Sequence, residues 1–211
     1  VIRKARVMPY QLLAAYKHVS SAIPRSIVDV LHDALEIAVD NVPVVEGRTL
    51  VIIDVSGSMR SSISGWSNKG LESKVRCVDM AALFSAAIVR KNHAATVLPV
   101  DTKVHTWFRP EPRNTVMTEA NRLAKYGGGG TALGVAFQHA NKRRMKVDHV
   151  VIISDQESWA DRHWDYVSNQ YREGTMLMHE WEALRSHNPG VKLVCIDIQP
   201  YGSTQAPERA D

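Results

Sequence analysis

Cysteine is nearly absent from this chain. Two thiols in 211 residues, Cys77 and Cys195, cannot build a disulfide framework or a Cys-type zinc site. A reducing compartment, the cytoplasm, is the expectation. Long hydrophobic runs are missing too. The longest nearly apolar stretch, Met80 to Val89, is about half of what a bilayer-spanning helix needs, so no membrane segment is expected. The basic start, Val1 to Arg6, leads into a stretch carrying Gln11 and Lys17, which argues against the apolar core of a signal peptide. No initiator Met is present, so a fragment or processed chain is expected. Acidic residues are lacking from residues 1–25, which hold Arg3, Lys4, Arg6, Lys17 and Arg25. The remaining 21 basic and 22 acidic residues nearly cancel. This basic arm could touch phosphate, or be a solvated helix end; the charge count alone leaves both open.

Other chemistries are excluded by missing spacings. Nine histidines are present, yet none form His-x-x-x-His, and no Cys-x-x-Cys pair accompanies them. The glycine run Gly127–Gly130 lacks the Gly-Lys-Ser/Thr ending of a P-loop. No Gly-x-Ser-x-Gly elbow surrounds Ser56 or Ser58.

What is present reads as an α/β chain. At 45% hydrophobic and 23% charged residues, a packed core is expected and general disorder is not. Met8 to Val19 has helical spacing; Pro24 then breaks the chain, and Ser26 is read as the N-cap of a helix over Ile27 to Val39. From Arg48 the pattern changes. Thr49 to Asp54 is a continuous apolar run ending in a carboxylate, as in a parallel strand buried on both faces. Val75 to Lys91 reads as a helix. Ala95 to Val100 and Lys103 to Phe108 read as a hairpin turning at Asp101-Thr102. Helices are expected over Val116 to Lys125, Thr131 to Arg144 and Thr175 to Ser186. Asp148 to Ile153 and Val191 to Ile198 complete the strands. The alternation predicts a doubly wound, mostly parallel sheet with one antiparallel strand, its loops gathered at one edge.

Chemistry-bearing residues fall on those loops. Asp54-Val-Ser56-Gly-Ser58 follows the first strand, Thr131 follows the glycine run, and Asp155 follows a later strand. All five donors are oxygens, which suits a hard divalent cation: Mg²⁺ first, with Mn²⁺ or Ca²⁺ as alternatives. Alternation along an extended Ser-x-Ser segment turns both hydroxyls the same way. Gly57 is expected to let the backbone curl, and the glycine run to let Thr131 approach or withdraw. Ser56, Ser58 and Thr131 are neutral ligands, with Asp54 and Asp155 as outer hydrogen-bond acceptors. The cation would then keep enough charge to capture an acidic side chain. The bland alternative is that these residues merely cap helices and make turns.

Glu157 is a further candidate acceptor, though such residues are more often solvated. Trp159, Trp164, Tyr166 and Tyr171 form either a recognition rim or a cover for the sheet edge. Lys142, Arg143, Arg144 and Lys146 are accounted for by the dipole at a helix C-terminus.

With these motifs in hand, residues 48–198 resemble a von Willebrand factor A (vWA) domain. Asp54, Ser56 and Ser58 match the first motif of its metal-ion-dependent adhesion site, Thr131 the second and Asp155 the third. The passages Met8-Pro-Tyr-Gln-Leu-Leu and Asn41-Val-Pro-Val-Val-Glu-Gly-Arg-Thr-Leu resemble the junction between helical repeats and A domain in Ro proteins, the TROVE family. The resemblance implies a terminal segment of a HEAT-like helical ring over 1–45. A vWA domain would occupy 46–211, ending before its usual last strand and helix. It implies that the parent ring binds Y RNA or misfolded noncoding RNA, with an exoribonuclease as a partner in RNA quality control. Binding, not enzymatic turnover, is the expected role. The rivals are a vWA scaffold unrelated to RNA and a metal-assisted phosphoryl-transfer or nuclease site on Asp54 and Asp155.

Overall fold

A computed structural model describes residues 5, 7–63, 74–111, 113–155, 162–165, 170–173 and 175–199. Most of the basic start (Arg3, Lys4, Arg6) and Glu157, Trp159 and Tyr166 lie outside the described residues. Six helices, α1 (Pro9–Lys17), α2 (Arg25–Val39), α3 (Cys77–Lys91), α4 (Val116–Leu123), α5 (Gly134–Lys142) and α6 (Thr175–His187), are described with six strands. The strands are β1 (Thr49–Asp54), β2 (Thr96–Val100), β3 (His149–Ser154), β4 (Arg162–Asp165), β5 (Gln170–Glu173) and β6 (Lys192–Asp197). Four of them form one sheet in the order β2-β1-β3-β6.

Every pairing in that sheet is parallel. The strand sequences explain their placement. Thr49-Leu-Val-Ile-Ile-Asp54 is buried at every position because β1 lies between two neighbours and under helices on both faces. One face carries Val51 and Ile53 against Val78, Ala81 and Ala82 of α3 and Ala120 and Leu123 of α4. The other carries Leu50 and Ile52 against Ala136, Phe137 and Ala140 of α5 and Leu177, Trp181 and Leu184 of α6. Each fully buried Leu, Ile or Val contributes about 1.5–3 kcal/mol, so this strand anchors both layers.

The doubly wound reading holds, with one correction. The antiparallel strand expected over Lys103–Phe108 reduces to a single bridge between Val100 and Val104. His105 N donates to Pro99 O, after which Phe108 turns inward to 2% exposure. That inward turn ends the ladder. An antiparallel pair does occur elsewhere: β4 and β5 form a separate two-stranded sheet.

Helix starts also differ from expectation. The N-cap of α2 is Pro24, not Ser26, and it makes no side-chain cap. Residues Thr131 to Leu133 precede α5 instead of belonging to it. At α3, by contrast, Asp79 accepts from Arg76 N at 3.1 Å, satisfying an orphan first-turn donor. Helices α1 and α2 share a third core with the A-type layer: Leu13, Leu35 and Val39 meet Leu83, Ala86, Ala87, Val116 and Met117. Among the described residues no helix is long and apolar enough to cross a membrane.

Candidate metal-binding edge

Parallel pairing brings the C-terminal ends of β1, β2, β3 and β6 to one edge, where Asp54 registers with Val100 and Ser154 with Asp197. Strand order reverses between β1 and β3, since β1 is followed by a neighbour on one side and β3 lies on the other. Doubly wound sheets bind ligands at such a switch point. Asp54 and Asp155 flank it.

Asp54 is fully buried. Its Oδ1 accepts from Ser56 N at 2.8 Å, closing an Asx turn that starts the loop. Its Oδ2 accepts from Ser154 Oγ at 3.1 Å. Ser56 Oγ and Ser58 Oγ lie 3.1 Å apart, so the two hydroxyls do converge. The cause differs from the alternation expected of an extended segment. Gly57 has helical dihedrals (φ −61°, ψ −39°), and Ser58–Arg60 is a 3₁₀ turn. Fully buried Met59 pins that turn to the core.

The glycine run is held against this loop. Gly57 N donates to Gly129 O and Gly128 N to Val55 O, both at 2.8 Å. At Gly57 a Cβ would lie 3.3 Å from Gly128 O, a tight contact. Gly127 combines φ +78° with direct overlap of any Cβ on the Val55 carbonyl oxygen. The glycines therefore permit close packing of two loops.

That packing sets Thr131 in place. Thr131 is 1% exposed, and its Oγ1 has no hydrogen-bond partner among the described residues. A hydroxyl buried that way costs free energy unless something else binds it. Asp155 is 1% exposed as well. Burial pushes the Asp54 carboxyl up to about 6, with Asp155 adding to the rise against the hydrogen bonds from Ser56 and Ser154. Burial and Asp155 likewise raise Asp197, and burial, Asp155 and Asp197 raise the Cys77 thiol. Burial is the main cause in all three, and Asp155 adds a like-charge push to each that a cation at this edge would relieve. Among the described residues no group of three His, Cys, Asp or Glu side chains is placed to hold a metal. A cation here would depend on the hydroxyls.

Two residues that the motifs did not single out support the edge. Ser154 is the donor to Asp54. Asp101, read from sequence as a turn residue, is buried and brackets Thr131: its Oδ2 accepts from Gly129 N at 3.3 Å and its carbonyl from Ala132 N at 2.9 Å. Its Oδ1 lies 3.1 Å from His105 Nε2. Their position immediately at or after the end of an apolar strand was the signal that could have found both.

The sequence profile of the Ro60 vWA domain matches residues 48–180. The chain belongs to the Ro60 vWA domain family. RNA-binding protein RO60 of Deinococcus radiodurans is 30% identical over 156 residues, covering 72% of this chain and 27% of that protein. The chain thus spans about a quarter of that curated relative. The crystal structure of the D. radiodurans RO (RSR) protein superposes with a TM-score of 0.67 at 21% identity, covering 98% of this chain and 40% of the other. At that identity the structural likeness speaks to fold, and it agrees with the parallel vWA layer that places the three motif loops of this Ro60 vWA domain together.

Proposed function

We propose that this Ro60 vWA domain binds a divalent cation, Mg²⁺ before Mn²⁺ or Ca²⁺, and through it an acidic side chain of a partner. Ser56, Ser58 and Thr131 would hold the ion, with Asp54 and Asp155 orienting hydroxyls and bound water. The ion supplies a charge that neutral ligands leave uncompensated. Among the described residues this edge presents buried hydroxyls and carboxylates, a donor set that favours capture over turnover. The observation that carries this reading is the buried Thr131 hydroxyl, unpartnered among the described residues, behind a loop hydrogen-bonded to the Ser56–Ser58 turn.

For the wider role the support is the relative's name as an RNA-binding protein. On this reading α1 and α2 are the last helices of a HEAT-like ring in a cytoplasmic protein. That ring engages Y RNA or misfolded noncoding RNA in RNA quality control, and an exoribonuclease is the partner offering the acidic side chain. Titration calorimetry tests the metal step. Wild-type chain is expected to bind Mg²⁺, and Asp54→Ala and Thr131→Ala to lose it while keeping the same circular-dichroism spectrum. Unchanged Mg²⁺ affinity in both variants would overturn the assignment.

A further inference from the structure

Between β2 and α4 the chain makes a tight turn that exposes Trp107 to 84%, far more than any other large hydrophobic side chain among the described residues. The turn is braced from both sides. Phe108 N bonds His105 O at 3.4 Å, and the next ring, Phe108, is buried edge-on against Tyr126. Arg109 Nη1 donates to Thr106 O at 2.6 Å and to Phe108 O at 2.8 Å, so its guanidinium clasps the carbonyls on either side of Trp107. Arg122 Nη2 in turn bonds Arg109 O. An indole held out by a rigid turn loses little entropy on binding.

The flanking sequence is cationic. Lys103, Arg109, Arg113 and Lys125 are exposed, and none is in an ion pair with a described carboxylate side chain. Of the acids on this stretch, Asp101 and Glu119 are buried and engaged with His105 and Arg122. Glu111 is the exposed one. The other large exposed apolar residues, such as Val30, Val44 and Val194, belong to other parts of the fold. A protein-binding hot spot seats its tryptophan within an apolar surround. A nucleobase needs one aromatic face and nearby cations for its phosphates.

We propose that the Trp107 turn is a stacking platform for single-stranded nucleic acid, with Lys103 and Arg113 contacting the backbone phosphates. This goes beyond the metal-dependent capture of an acidic side chain and requires no metal. Fluorescence anisotropy of a labelled single-stranded uridine dodecamer, titrated with the whole chain in EDTA, tests it. Trp107→Ala is expected to weaken binding about tenfold, Trp107→Phe to retain most of it, and Lys103→Ala with Arg113→Ala to flatten the salt dependence. Wild-type affinity in Trp107→Ala would overturn the proposal, as would absence of binding by the wild-type chain. Equal affinity for a blunt RNA duplex, or equal competition by poly-glutamate, would overturn it as well. Because chelator is present throughout, failure here leaves the Mg²⁺ titration to be judged separately.

Discussion

Ser154 Oγ donates to Asp54 Oδ2 over 3.1 Å, joining the ends of neighbouring strands β3 and β1 at the switch point of the sheet. Both side chains are buried, so this bond holds the first motif's carboxylate in register with the third motif's loop. Ser154→Ala should cost about 1–2 kcal/mol, the loss of a buried hydrogen bond to a carboxylate. It should also weaken Mg²⁺ binding several-fold by freeing Asp54 to rotate. Denaturant unfolding and calorimetry together check this. A variant unchanged in both would remove Ser154 from the positioning network.

Gly127→Ala is expected to be more damaging than its single methyl suggests. The residue has φ +78°, and a Cβ there would overlap the Val55 carbonyl oxygen. Left-handed backbone alone costs an alanine about 1–2 kcal/mol, and the overlap must also displace the loop that ends in Thr131. A stability loss above about 2 kcal/mol with weakened Mg²⁺ affinity is expected. Gly190→Ala serves as the comparison: φ is +83°, but nothing lies within 4 Å, so only the backbone cost should appear.

Much of this architecture was legible before any coordinates. Thr49–Asp54 and Asp148–Ile153 are apolar without alternation, and only a two-sided parallel strand accommodates that. Their neighbours' order then brought Asp54 and Asp155 together. What stayed hidden depended on tertiary geometry. Lys103–Phe108 alternates acceptably for a strand, yet the burial of Phe108 ends the ladder after one bridge. Gly57 was expected to curl the backbone through the freedom of glycine, whereas its dihedrals are those of any helical residue. Asp101 does close the expected turn, its Oδ1 accepting from Lys103 N at 3.1 Å, but local patterning cannot report that its Oδ2 also reaches Gly129, 28 residues away.

The raised carboxyl of Asp54 gives a pH signature. In the folded state it is pushed up to about 6 from an ordinary 3.8, chiefly by burial. Between those values the folded chain holds the proton more tightly than the unfolded chain does. The Asp54 contribution to metal-free stability is therefore fully present below about pH 4 and is lost as pH rises through about 6, about 3 kcal/mol for a shift of this size. Asp54→Asn should flatten that slope. A divalent cation favours the carboxylate, so Mg²⁺ affinity should decline as pH drops below about 6. Urea unfolding across this range, in EDTA and in excess Mg²⁺, reads both effects. A wild-type slope matching that of Asp54→Asn would show that Asp54 is not the titrating group.

Lys17 of α1 lies 3.1 Å from the Asp79 carboxylate on α3, which also accepts from the Arg76 backbone and guanidinium. Burial alone would raise the Asp79 carboxyl, but the bonds from Arg76 and Lys17 outweigh it and hold it below the usual range. A folded value below the unfolded one means stability present above about pH 4 and lost as pH falls through the folded value. Lys17→Ala should cost about 1 kcal/mol, because Arg76 still pairs the charge. Asp79→Ala should cost about 3 kcal/mol and remove that acid-sensitive limb. Thermal melts at neutral and acid pH measure the two. Equal losses in both variants would mean that the pair contributes no more than the packing of α1.

Thr131→Val separates a structural hydroxyl from a ligand hydroxyl. Oγ1 is buried and has no hydrogen-bond partner among the described residues, so in the metal-free protein replacing it with a methyl of similar volume removes a desolvated polar group. Stability in EDTA should therefore hold or rise by up to about 1–2 kcal/mol, opposite in sign to most buried substitutions. In excess Mg²⁺ the ranking should invert, since ligand binding stabilises only a chain that can bind it. Wild type should gain with each increment of Mg²⁺ while Thr131→Val stays flat. Thermal denaturation over a Mg²⁺ series reads both signs in one experiment. A variant less stable than wild type in EDTA would mean that the hydroxyl is already satisfied in the empty site. A variant that gains with Mg²⁺ as wild type does would place the cation away from Thr131.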